Sequence, residues 1–318
     1  MGFYNKIYPY LKNPQKVFAR SALKRLETIK PELSKEEYIK RKFKIDLGYD
    51  LDLDNPKTFN EKMQWLKFYN QQSVFTVMAS KHTVKKYISE KIGNEFIARE
   101  YGCWDSYDDI DFSKLPDSFV LKTTHGCGSM LVCKNKNEMV FSESIREAFQ
   151  NSLKSCYYDN YYEWPYRDVK PQIIAEELLS DGKNNILPVF KFFCFNGEPL
   201  IAQIIQNDKQ DNETIDYIDM DYNFLKLSQG YPNSKKKNRL SKPVLFGQMK
   251  QIAATLSKDI PFIRVDLYDC GDKIIFSEFT FFSDAGFARF FPKKWDKLLG
   301  DKIKLPNYKI IENKKYDI

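Results

Sequence analysis

One segment near the end of the chain, residues 261–282 (PFIRVDLYDCGDKIIFSEFTFF), constrains the fold more than any other. Two runs rich in Phe, Ile and Val flank Asp-Cys-Gly-Asp, which is typical of two antiparallel strands joined by a tight turn. Arg264, Asp266 and Glu278 interrupt these apolar runs. The three charged residues are either exposed positions of a half-buried sheet or parts of an assembled site.

The rest of the chain divides into helical and strand-like patterns. Apolar residues recur at helical spacing in residues 58–70, 80–93, 142–156 and 244–260, and residues 1–50 look helical and polar. Strand-like runs lie at residues 119–124, 130–135, 172–179, 187–197, 199–206 and 214–221. Thr58 and Glu61 have capping-box spacing, and Gly93 is a helix stop. An aromatic-rich loop is predicted at residues 157–168, within an α+β fold with an antiparallel sheet.

Composition excludes several classes of protein. The 318 residues are 42% hydrophobic and 29% charged, which is a globular composition, and no run is long enough to span a membrane. The first residues lack the apolar core of a signal peptide. Six cysteines without a CxxC pair, and two histidines (His82 and His125), argue against a zinc site and for reduced thiols in a cytoplasmic protein.

The net charge of +7 is concentrated at the N-terminus. Residues 1–50 hold twelve Lys and Arg against six Asp and Glu. This segment is either a solvated helical face or a peripheral contact with the anionic inner surface of the cell membrane. No basic stripe with interleaved aromatic residues follows, so a nucleic-acid partner is not expected.

Two further patterns suggest chemistry. Lys122 lies on a predicted strand, and the turn after it, HGCGS, contains two glycines whose backbone amides can approach a phosphate. An ordinary hairpin with a surface lysine explains this pattern equally well. Glu176 and Glu177 end an apolar strand, where exposed backbone groups can read the edge of a base or the acids can face solvent.

The hairpin itself suggests a metal site. Asp266 and Glu278 would lie near each other across the turn, and two close carboxylates repel unless a cation separates them. Hard oxygen ligands suit Mg²⁺. Arg264 shares a strand face with Asp266, as an ion-pair partner or as a group that stabilises a developing anion.

In its order of segments the chain resembles the ATP-grasp superfamily, and in detail its TupA-like branch of bacterial surface-polysaccharide biosynthesis. The R-x-D strand and acid-bearing hairpin of IRVDLYDCGDKIIFSEFTFF resemble the family's metal-binding end. The segments that resemble the branch are TFNEKMQWLKFYN, DDIDFSKLPDSFVLKTTHGCGSMLVCKN, FKFFCFNGEPL and FIRVDLYDCGDKIIFSEFTF. The resemblance spans roughly residues 51–291, which is most of the chain. It implies an α+β ATP-grasp fold in which two subdomains hold ATP between antiparallel sheets, beside a helical N-terminal region.

The resemblance also implies roles for individual residues. ATP would be bound by Lys81, Lys122, His125, Gly126, Gly128, Ser129, Glu176, Glu177, Leu179 and Lys191. Mg²⁺ would be held by Asp266, Glu278 and Thr280, and Arg264 and Lys122 would act in catalysis. A hydrogen-bonded turn residue is an equally good interpretation of His125.

Three positions depart from the family pattern. Thr280 stands where an asparagine metal ligand is expected, and a hydroxyl is a weaker ligand than an amide carbonyl. Val189 replaces an acid on the strand before FFCFNG, which leaves Lys191 as the polar contact, and Ser283 replaces an expected proline. The implied domains are residues 1–75 (helical), 76–178 (lobe with the phosphate turn) and 179–318 (lobe with the metal site).

The implied activity is that of an ATP-dependent carboxylate–amine ligase working through an acyl phosphate. Its partners would be a carboxylate-bearing sugar or polysaccharide, such as a uronic acid of a capsule or cell-wall polymer, and an amine or amino acid. Two alternatives are enzymes: a glycosyltransferase using Asp219 and Asp221 as a metal-binding D-x-D pair, and an ATP-grasp sugar kinase. A third is a polysaccharide-binding protein without turnover, using its Tyr and Trp side chains as sugar platforms.

Overall fold

The computed structural model describes residues 14–126, 129–180, 182, 186–208, 210–307 and 310–311. Its helices are α1 (Pro14–Ile29), α2 (Lys35–Leu47), α3 (Phe59–Tyr69), α4 (Val74–Ala79), α5 (Val84–Ile92), α6 (Glu143–Leu153), α7 (Tyr158–Tyr161), α8 (Phe246–Leu256) and α9 (Lys294–Gly300). Its strands are β1 (Asn70–Gln71), β2 (Glu100–Trp104), β3 (Phe119–Thr123), β4 (Met130–Cys133), β5 (Ile173–Glu176), β6 (Val189–Phe195), β7 (Glu198–Gln206), β8 (Thr214–Asp219), β9 (Phe262–Asp269), β10 (Ile274–Thr280) and β11 (Ile310–Ile311).

Two antiparallel sheets organise these elements. The four-stranded sheet has the order β2-β5-β3-β4, and the five-stranded sheet has the order β10-β9-β6-β7-β8. In the larger sheet every neighbouring pair is antiparallel. A short parallel pair, β1 with β11, lies apart from both. The predicted α+β fold with antiparallel sheets is therefore found.

The two faces of the five-stranded sheet are covered differently. Phe190 and Phe192 of β6 pack against Phe246 of α8, with ring centroids 6.2 and 5.9 Å apart. On the opposite face, Phe59 at the start of α3 contacts Phe262 of β9, with ring centroids 4.9 Å apart. Because side chains alternate along a strand, β9 turns its apolar residues toward α8 and leaves its charged residues on the other face.

Three apolar residues of strand β9 and its charged residues Arg264 and Asp266 lie on opposite faces of the sheet. Ile263, Val265 and Leu267 are fully buried, as expected for a face packed on a helix. The alternate positions along the strand begin at Phe262, which packs on α3, and continue through Arg264 and Asp266. The charged residues of the hairpin thus share one face, and they lie beyond the part of that face that α3 covers.

Several local predictions are confirmed. Thr58 and Glu61 form both hydrogen bonds of a capping box at the start of α3, and Gly93 ends α5 with its backbone N–H bonded to Ser89. In α8 the residues predicted to face inward are all buried: Met249, Ile252, Ala253 and Leu256. Helical spacing was sufficient for these elements because each has a single buried face.

Other local predictions need correction. Helix α5 begins at Val84, so Lys81 lies in the turn before it. The segment predicted as an aromatic loop contains α7 and a 3₁₀ turn at Trp164–Tyr166, in which Trp164 is buried. Packing of the aromatic rings orders this segment although its composition suggests a loop. Within the described residues, no helix is long and apolar enough to cross a membrane. The first thirteen residues of the basic N-terminal segment lie outside the described residues.

Candidate active site

Two adjoining cavities lie beside the charged face of the five-stranded sheet. We call the first the inter-sheet cleft, because residues of β3, β4 and β5 line one side and residues of β6, β9 and β10 line the other; its volume is about 510 Å³. We call the second the chamber; its volume is about 580 Å³ and it is lined by Arg264, Glu278 and Thr280 among others. Lys81, Val84 and Ser277 line both cavities, so the cleft and the chamber adjoin there.

The cleft combines apolar walls with several lysines. Its apolar residues include Val120, Val132, Leu187, Val189 and Phe276, and its cationic residues are Lys81, Lys85, Lys122 and Lys134. The backbone that follows β5, from Glu177 to Leu179, forms part of the lining. A cleft of this size and character suits a ligand with a flat apolar part and an anionic part.

Glu176 holds two of these lysines in place. Lys122 Nζ lies 2.8 Å from Glu176 Oε2, and Lys85 Nζ lies 2.6 Å from Glu176 Oε1. Burial would raise the pKa of Glu176, but the charges of Lys122 and Lys85 outweigh it and lower that pKa. The Glu176 carboxylate is thus engaged with two lysines, and its predicted contact with ATP stays a prediction. Glu177 accepts a hydrogen bond from the backbone N–H of Arg99 at 3.2 Å.

Lys85 belongs to this network, although it was not among the predicted site residues. Its Nζ also donates to the carbonyl of Ala98 at 2.8 Å and lies 3.7 Å from Glu100, which in turn is 2.8 Å from His82 Nδ1. The available signal was its position four residues after Lys81, a spacing that puts both lysines on the same side of the helix predicted over residues 80–93.

The predicted phosphate turn is partly described. Lys81 Nζ donates to the carbonyl of Gly126 at 2.5 Å, and Gly126 lines the chamber. Ser129 accepts a backbone bond from Thr123 at 3.3 Å, whereas Gly128 lies outside the described residues. His125 is only 3% exposed, lines neither cavity and bonds through Nε2 to the carbonyl of Ser152 at 3.0 Å. His125 is therefore placed as a turn residue, away from both cavities.

The charged side chains of the five-stranded sheet form a row. Glu278 of β10 lies opposite Asp266 of β9, which lies opposite Lys191 of β6. The expected proximity of Asp266 and Glu278 is found, since residues in direct register share a face of the sheet. Lys191 Nζ is 3.2 Å from Asp266 Oδ2.

Arg264 and Asp266 form the most buried pair in the row. Arg264 donates from Nε to Asp266 Oδ1 and from Nη2 to Oδ2, both at 2.8 Å, and its Nη2 lies 3.9 Å from Glu278. Asp266 is 1% exposed. Burial would raise the pKa of Asp266, but Arg264 and Lys191 outweigh it and keep that pKa below its usual value. The carboxylate therefore stays ionised at neutral pH.

The oxygen donors around Glu278 fit a magnesium ion that is coordinated partly by the protein and partly by phosphate. Asp266, Glu278 and Thr280 offer two carboxylates and a hydroxyl on neighbouring strands, and Thr280 lies opposite Arg264. Among the described residues no group of three or more His, Cys, Asp and Glu could hold a metal ion. Mg²⁺ commonly binds through one or two carboxylates and completes its shell with phosphates and water. The residues fit such an ion and do not form a cage of their own.

The chamber is also lined by residues that no motif indicated. Glu163, Tyr157, Tyr161 and Tyr166 come from the aromatic segment around α7, and Asp284 follows β10. Glu163 is 4% exposed, and burial raises its pKa to about 7 although the charge of Lys67 opposes this. The available signal for Glu163 was an acid enclosed by aromatic residues, YYEWPY.

Helix α3 holds the loop that carries Asp284. Gln64 Nε2 donates to the carbonyls of Ala285 at 3.1 Å and Gly286 at 2.8 Å, and Lys67 Nζ donates to Ala285 at 2.8 Å. Asn60 exchanges two hydrogen bonds of 2.8 Å with the backbone of Ala288. The three donors of α3 occupy positions i, i+4 and i+7, so they form one polar stripe that is buried against the loop. We call this stripe the α3 clamp.

The loop needs this support because its backbone is strained. Asp284 and Ala285 have φ values of 49° and 52°, and Gly286 follows at 73°. A left-handed conformation costs a residue with a side chain about 1–2 kcal/mol relative to the right-handed one. Glycine adopts the left-handed conformation freely, and aspartate tolerates it better than most residues do. Alanine has neither advantage. The α3 clamp thus stabilises a conformation that keeps Asp284 at the chamber.

The D-x-D pair has a structural explanation. Asp219 ends β8, and its carboxylate accepts hydrogen bonds from the backbone N–H of Asp221 at 3.0 Å and of Asn223 at 2.8 Å. Asn223 also donates from its side chain to Asp219 at 3.0 Å. This is the pattern by which aspartate stabilises a turn. Neither residue lines the cleft or the chamber.

Comparisons with known proteins agree with this arrangement. The TupA-like ATPgrasp family model matches residues 61–304, well over half of the chain. A comparison with curated proteins finds no match.

Among solved structures, the D-alanine–D-alanine ligase from Bacillus anthracis complexed with ATP is 12% identical, with 65% of this chain and 55% of that chain covered and a TM-score of 0.37. The D-alanine–D-alanine ligase from Helicobacter pylori is 13% identical, with 79% and 69% covered and a TM-score of 0.42. The N5-carboxyaminoimidazole ribonucleotide synthetase from Thermus thermophilus is 11% identical, with 72% and 53% covered and a TM-score of 0.37.

The chain spans about half the length of the first of these structures. Similarity this low gives no information about substrates or site residues. The family match, in contrast, covers α3, both sheets and the hairpin that carries Asp266 and Glu278. It confirms the resemblance predicted from the order of the segments. The chain therefore belongs to the TupA-like ATP-grasp family.

Proposed function

We propose that the protein is an ATP-dependent ligase that activates a carboxylate as an acyl phosphate and joins it to an amine. The observation that carries the proposal is the junction of the two cavities. There the lysine-lined cleft adjoins a chamber whose wall includes Arg264 and Glu278, with Lys81 lining both. A phosphate bound at the junction could meet a second substrate held in the chamber.

The cleft would bind the nucleotide. Its apolar walls suit adenine, and the backbone at Glu177–Leu179 offers polar groups to the edge of the base. Lys122 and Lys81 would bind the phosphates, with Lys122 oriented by Glu176 at 2.8 Å. Gly126, Gly128 and Ser129 would add backbone donors, as glycine-containing turns do for phosphate. In this proposal Lys85 orients Glu176, and His125 does not contact the nucleotide.

The charged row of the five-stranded sheet would organise the reacting groups. Asp266, Glu278 and Thr280 would hold Mg²⁺, which supplies positive charge to the phosphate oxygens. Arg264 and Lys191 together keep Asp266 ionised in the absence of the ion. Two hydrogen bonds hold the buried Arg264 side chain in place. Its guanidinium group is therefore already oriented, and no free energy is spent on orienting it during the reaction.

The reaction then balances in two steps. A carboxylate oxygen of the first substrate attacks the γ-phosphorus of ATP, which releases ADP and forms the acyl phosphate. The amine attacks the acyl carbon, the bond between that carbon and the bridging oxygen breaks, and phosphate leaves with the bridging oxygen as one proton is lost. Arg264 would stabilise the oxyanion that forms between these events. Most of the catalysis would come from positioning and electrostatics.

We further propose that the carboxylate belongs to a uronic acid of a bacterial surface polysaccharide. Support comes from the family and from the tyrosines of the chamber, Tyr157, Tyr161, Tyr166 and Tyr231, because aromatic rings are suitable surfaces for sugar rings. An amino acid or another amine would be the second substrate.

Trapping with hydroxylamine tests the proposal. The protein is incubated with ATP, Mg²⁺, hydroxylamine and a panel of uronic acids, and hydroxamate and ADP are measured. We expect at least one uronic acid to give both products in equal amounts, and EDTA to abolish both. ADP formation without hydroxamate would contradict the ligase and favour the sugar kinase, which transfers phosphate to a hydroxyl group. No ADP from any uronic acid would contradict the proposed substrate class.

A further inference from the structure

The chamber contains a buried carboxylate, that of Glu163, without a hydrogen-bond or ion-pair partner in the described part of the chain. Glu163 is 4% exposed and lines the chamber. Among the described residues, no hydrogen bond or ion pair within 4.0 Å reaches its carboxylate. A buried charge without a partner is costly, so a side chain in this state needs a compensating cation or a proton.

The cations near Glu163 are occupied elsewhere. Lys67 Nζ donates to the carbonyl of Ala285 at 2.8 Å, and Lys42 Nζ pairs with Asp46 at 2.8 Å. Arg264 donates to Asp266. None of these three cations forms an ion pair with Glu163, although Lys67 and Arg264 are near enough to affect its charge state. Glu163 thus remains open to a cation from outside the chain.

A second acid and several aromatic rings line the same chamber. Asp284 is exposed to the chamber, and its charge acts on Glu163. The rings of Tyr157 and Tyr166 contact each other there with centroids 4.8 Å apart, and Tyr161 contacts Phe287 at 6.0 Å. Carboxylates combined with aromatic faces are the surroundings that favour an organic ammonium ion.

We propose that Glu163 and Asp284 bind the amine substrate as its ammonium ion, and that one of the two carboxylates takes a proton from it to leave the free amine that attacks the acyl carbon. This inference rests on the proposed ligase function and deepens it by naming the residues that select the second substrate. Because Arg264 and Glu278 line the same chamber, an amine bound by these acids shares the cavity with the acyl group formed at the sheet. Tyr157, Tyr161 and Tyr166 contact the carbon skeleton that bears the ammonium group.

The α3 clamp gains a function from this assignment. Lys67 and Gln64 fix the backbone of Ala285 and Gly286, which keeps Asp284 in its left-handed conformation at the chamber. Burial raises the pKa of Glu163 to about 7, and a bound ammonium ion would lower that pKa by favouring the carboxylate. An uncharged ligand of the same shape would gain nothing from either acid.

Matched pairs of ligands test the amine site by saturation-transfer NMR with the whole chain. The first pair is D-glucosamine and D-glucose, and the second is L-alaninamide and L-lactamide; each pair differs by an ammonium group in place of a hydroxyl group. We expect the wild-type chain to bind the ammonium member of at least one pair ten times more tightly or better. The variant Glu163→Gln should reduce this ratio to between one and two. The variant Asp284→Asn, which keeps a residue suited to the left-handed backbone, should reduce it at least threefold.

Asp46→Asn is the matched control. It removes a carboxylate from the same chamber, but one that is already paired with Lys42, so the preference for the ammonium member should persist. Equal binding of both members of each pair by the wild-type chain would overturn the proposal, as would an unchanged preference in Glu163→Gln. If thermal unfolding shows that Glu163→Gln does not fold, an unchanged preference in Asp284→Asn would overturn it. The measurement uses neither ATP nor a carboxylate, so failure of the amine site and failure of the ligase activity give different results.

Discussion

At the scale of single residues, Asp266 and Glu278 show what a sequence can and cannot predict. Their spacing on either side of a turn was enough to predict that they meet across a hairpin, and the structure has them in direct register. The position of Lys191 beside Asp266 was not predictable from spacing, because it depends on β6 lying next to β9. Glu163 was missed for the same reason, since only tertiary packing brings it to the chamber.

Glu278 is the metal ligand whose change is simplest to interpret. It is more exposed than Asp266 and does not form the close Arg264 pair, so Glu278→Gln should leave the fold intact. We expect the rate of hydroxamate formation to fall by about 10²–10³, as for the loss of one group that stabilises developing charge. Asp272→Asn, a change in the exposed turn of the same hairpin, is the control and should stay within about twofold of the wild type. A Glu278→Gln variant as active as this control would remove Glu278 from the site.

Glu176 should contribute to stability in a pH-dependent way. Burial opposes the ionised form, but Lys122 and Lys85 prevail, so the folded pKa is lower than the usual 4.5. A lowered folded pKa stabilises the protein above the unfolded value, and this contribution is lost as the pH falls through the folded pKa. Glu176→Gln leaves two lysines without their partner, which should cost about 3 kcal/mol at pH 7.

Urea unfolding at several pH values checks this expectation. The difference in free energy of unfolding between wild type and Glu176→Gln should be largest near pH 7 and should shrink below the usual Glu pKa of 4.5. Glu177→Gln is the neighbouring control; its nearest lysine, Lys273, is 4.0 Å away, so the change should cost less than about 1 kcal/mol. A Glu176→Gln penalty that is small or independent of pH would contradict the lysine network as described.

At the scale of elements, helices and strands with one buried face were predictable from the sequence. Polar contacts between different elements were not. Helices α3 and α8 and the hairpin of β9 and β10 follow from periodicity, caps and turn residues. The α3 clamp was visible as polar residues at positions 60, 64 and 67, but a helix pattern alone does not distinguish a buried polar stripe from a solvated one. The distinction depends on the strained loop that receives the hydrogen bonds.

Removal of the central clamp residue should loosen that loop. Gln64→Ala deprives two carbonyls, those of Ala285 and Gly286, of a buried donor, and we expect a loss of about 1–3 kcal/mol in the free energy of unfolding. Gln71→Ala is the control, because Gln71 bonds to Phe68 and not to the loop. If Asp284 serves the amine, Gln64→Ala should also raise the KM for the amine more than the KM for ATP. Equal stability of the two variants would show that the clamp does not hold the loop.

At the scale of the whole molecule, the order of the segments predicted the family, and the family match confirms it. The order works because each segment resembles one part of a single known site, so that agreement among several weak patterns becomes specific. That the cleft adjoins the chamber at Lys81 and Ser277 was beyond sequence reasoning, because it depends on how the two sheets face each other. The predicted domain boundaries at residues 75 and 178 stay predictions.

The central claim is that a carboxylate is activated by phosphoryl transfer and then joined to an amine. The most direct measurement uses a carboxylate substrate found by hydroxylamine trapping, labelled with ¹⁸O in both carboxyl oxygens, together with ATP, Mg²⁺ and the amine. The account predicts that one ¹⁸O atom per amide appears in inorganic phosphate, because the bridging oxygen leaves with the phosphoryl group. Unlabelled phosphate, or a phosphorylated product that retains both labels in its carboxyl group, would contradict it.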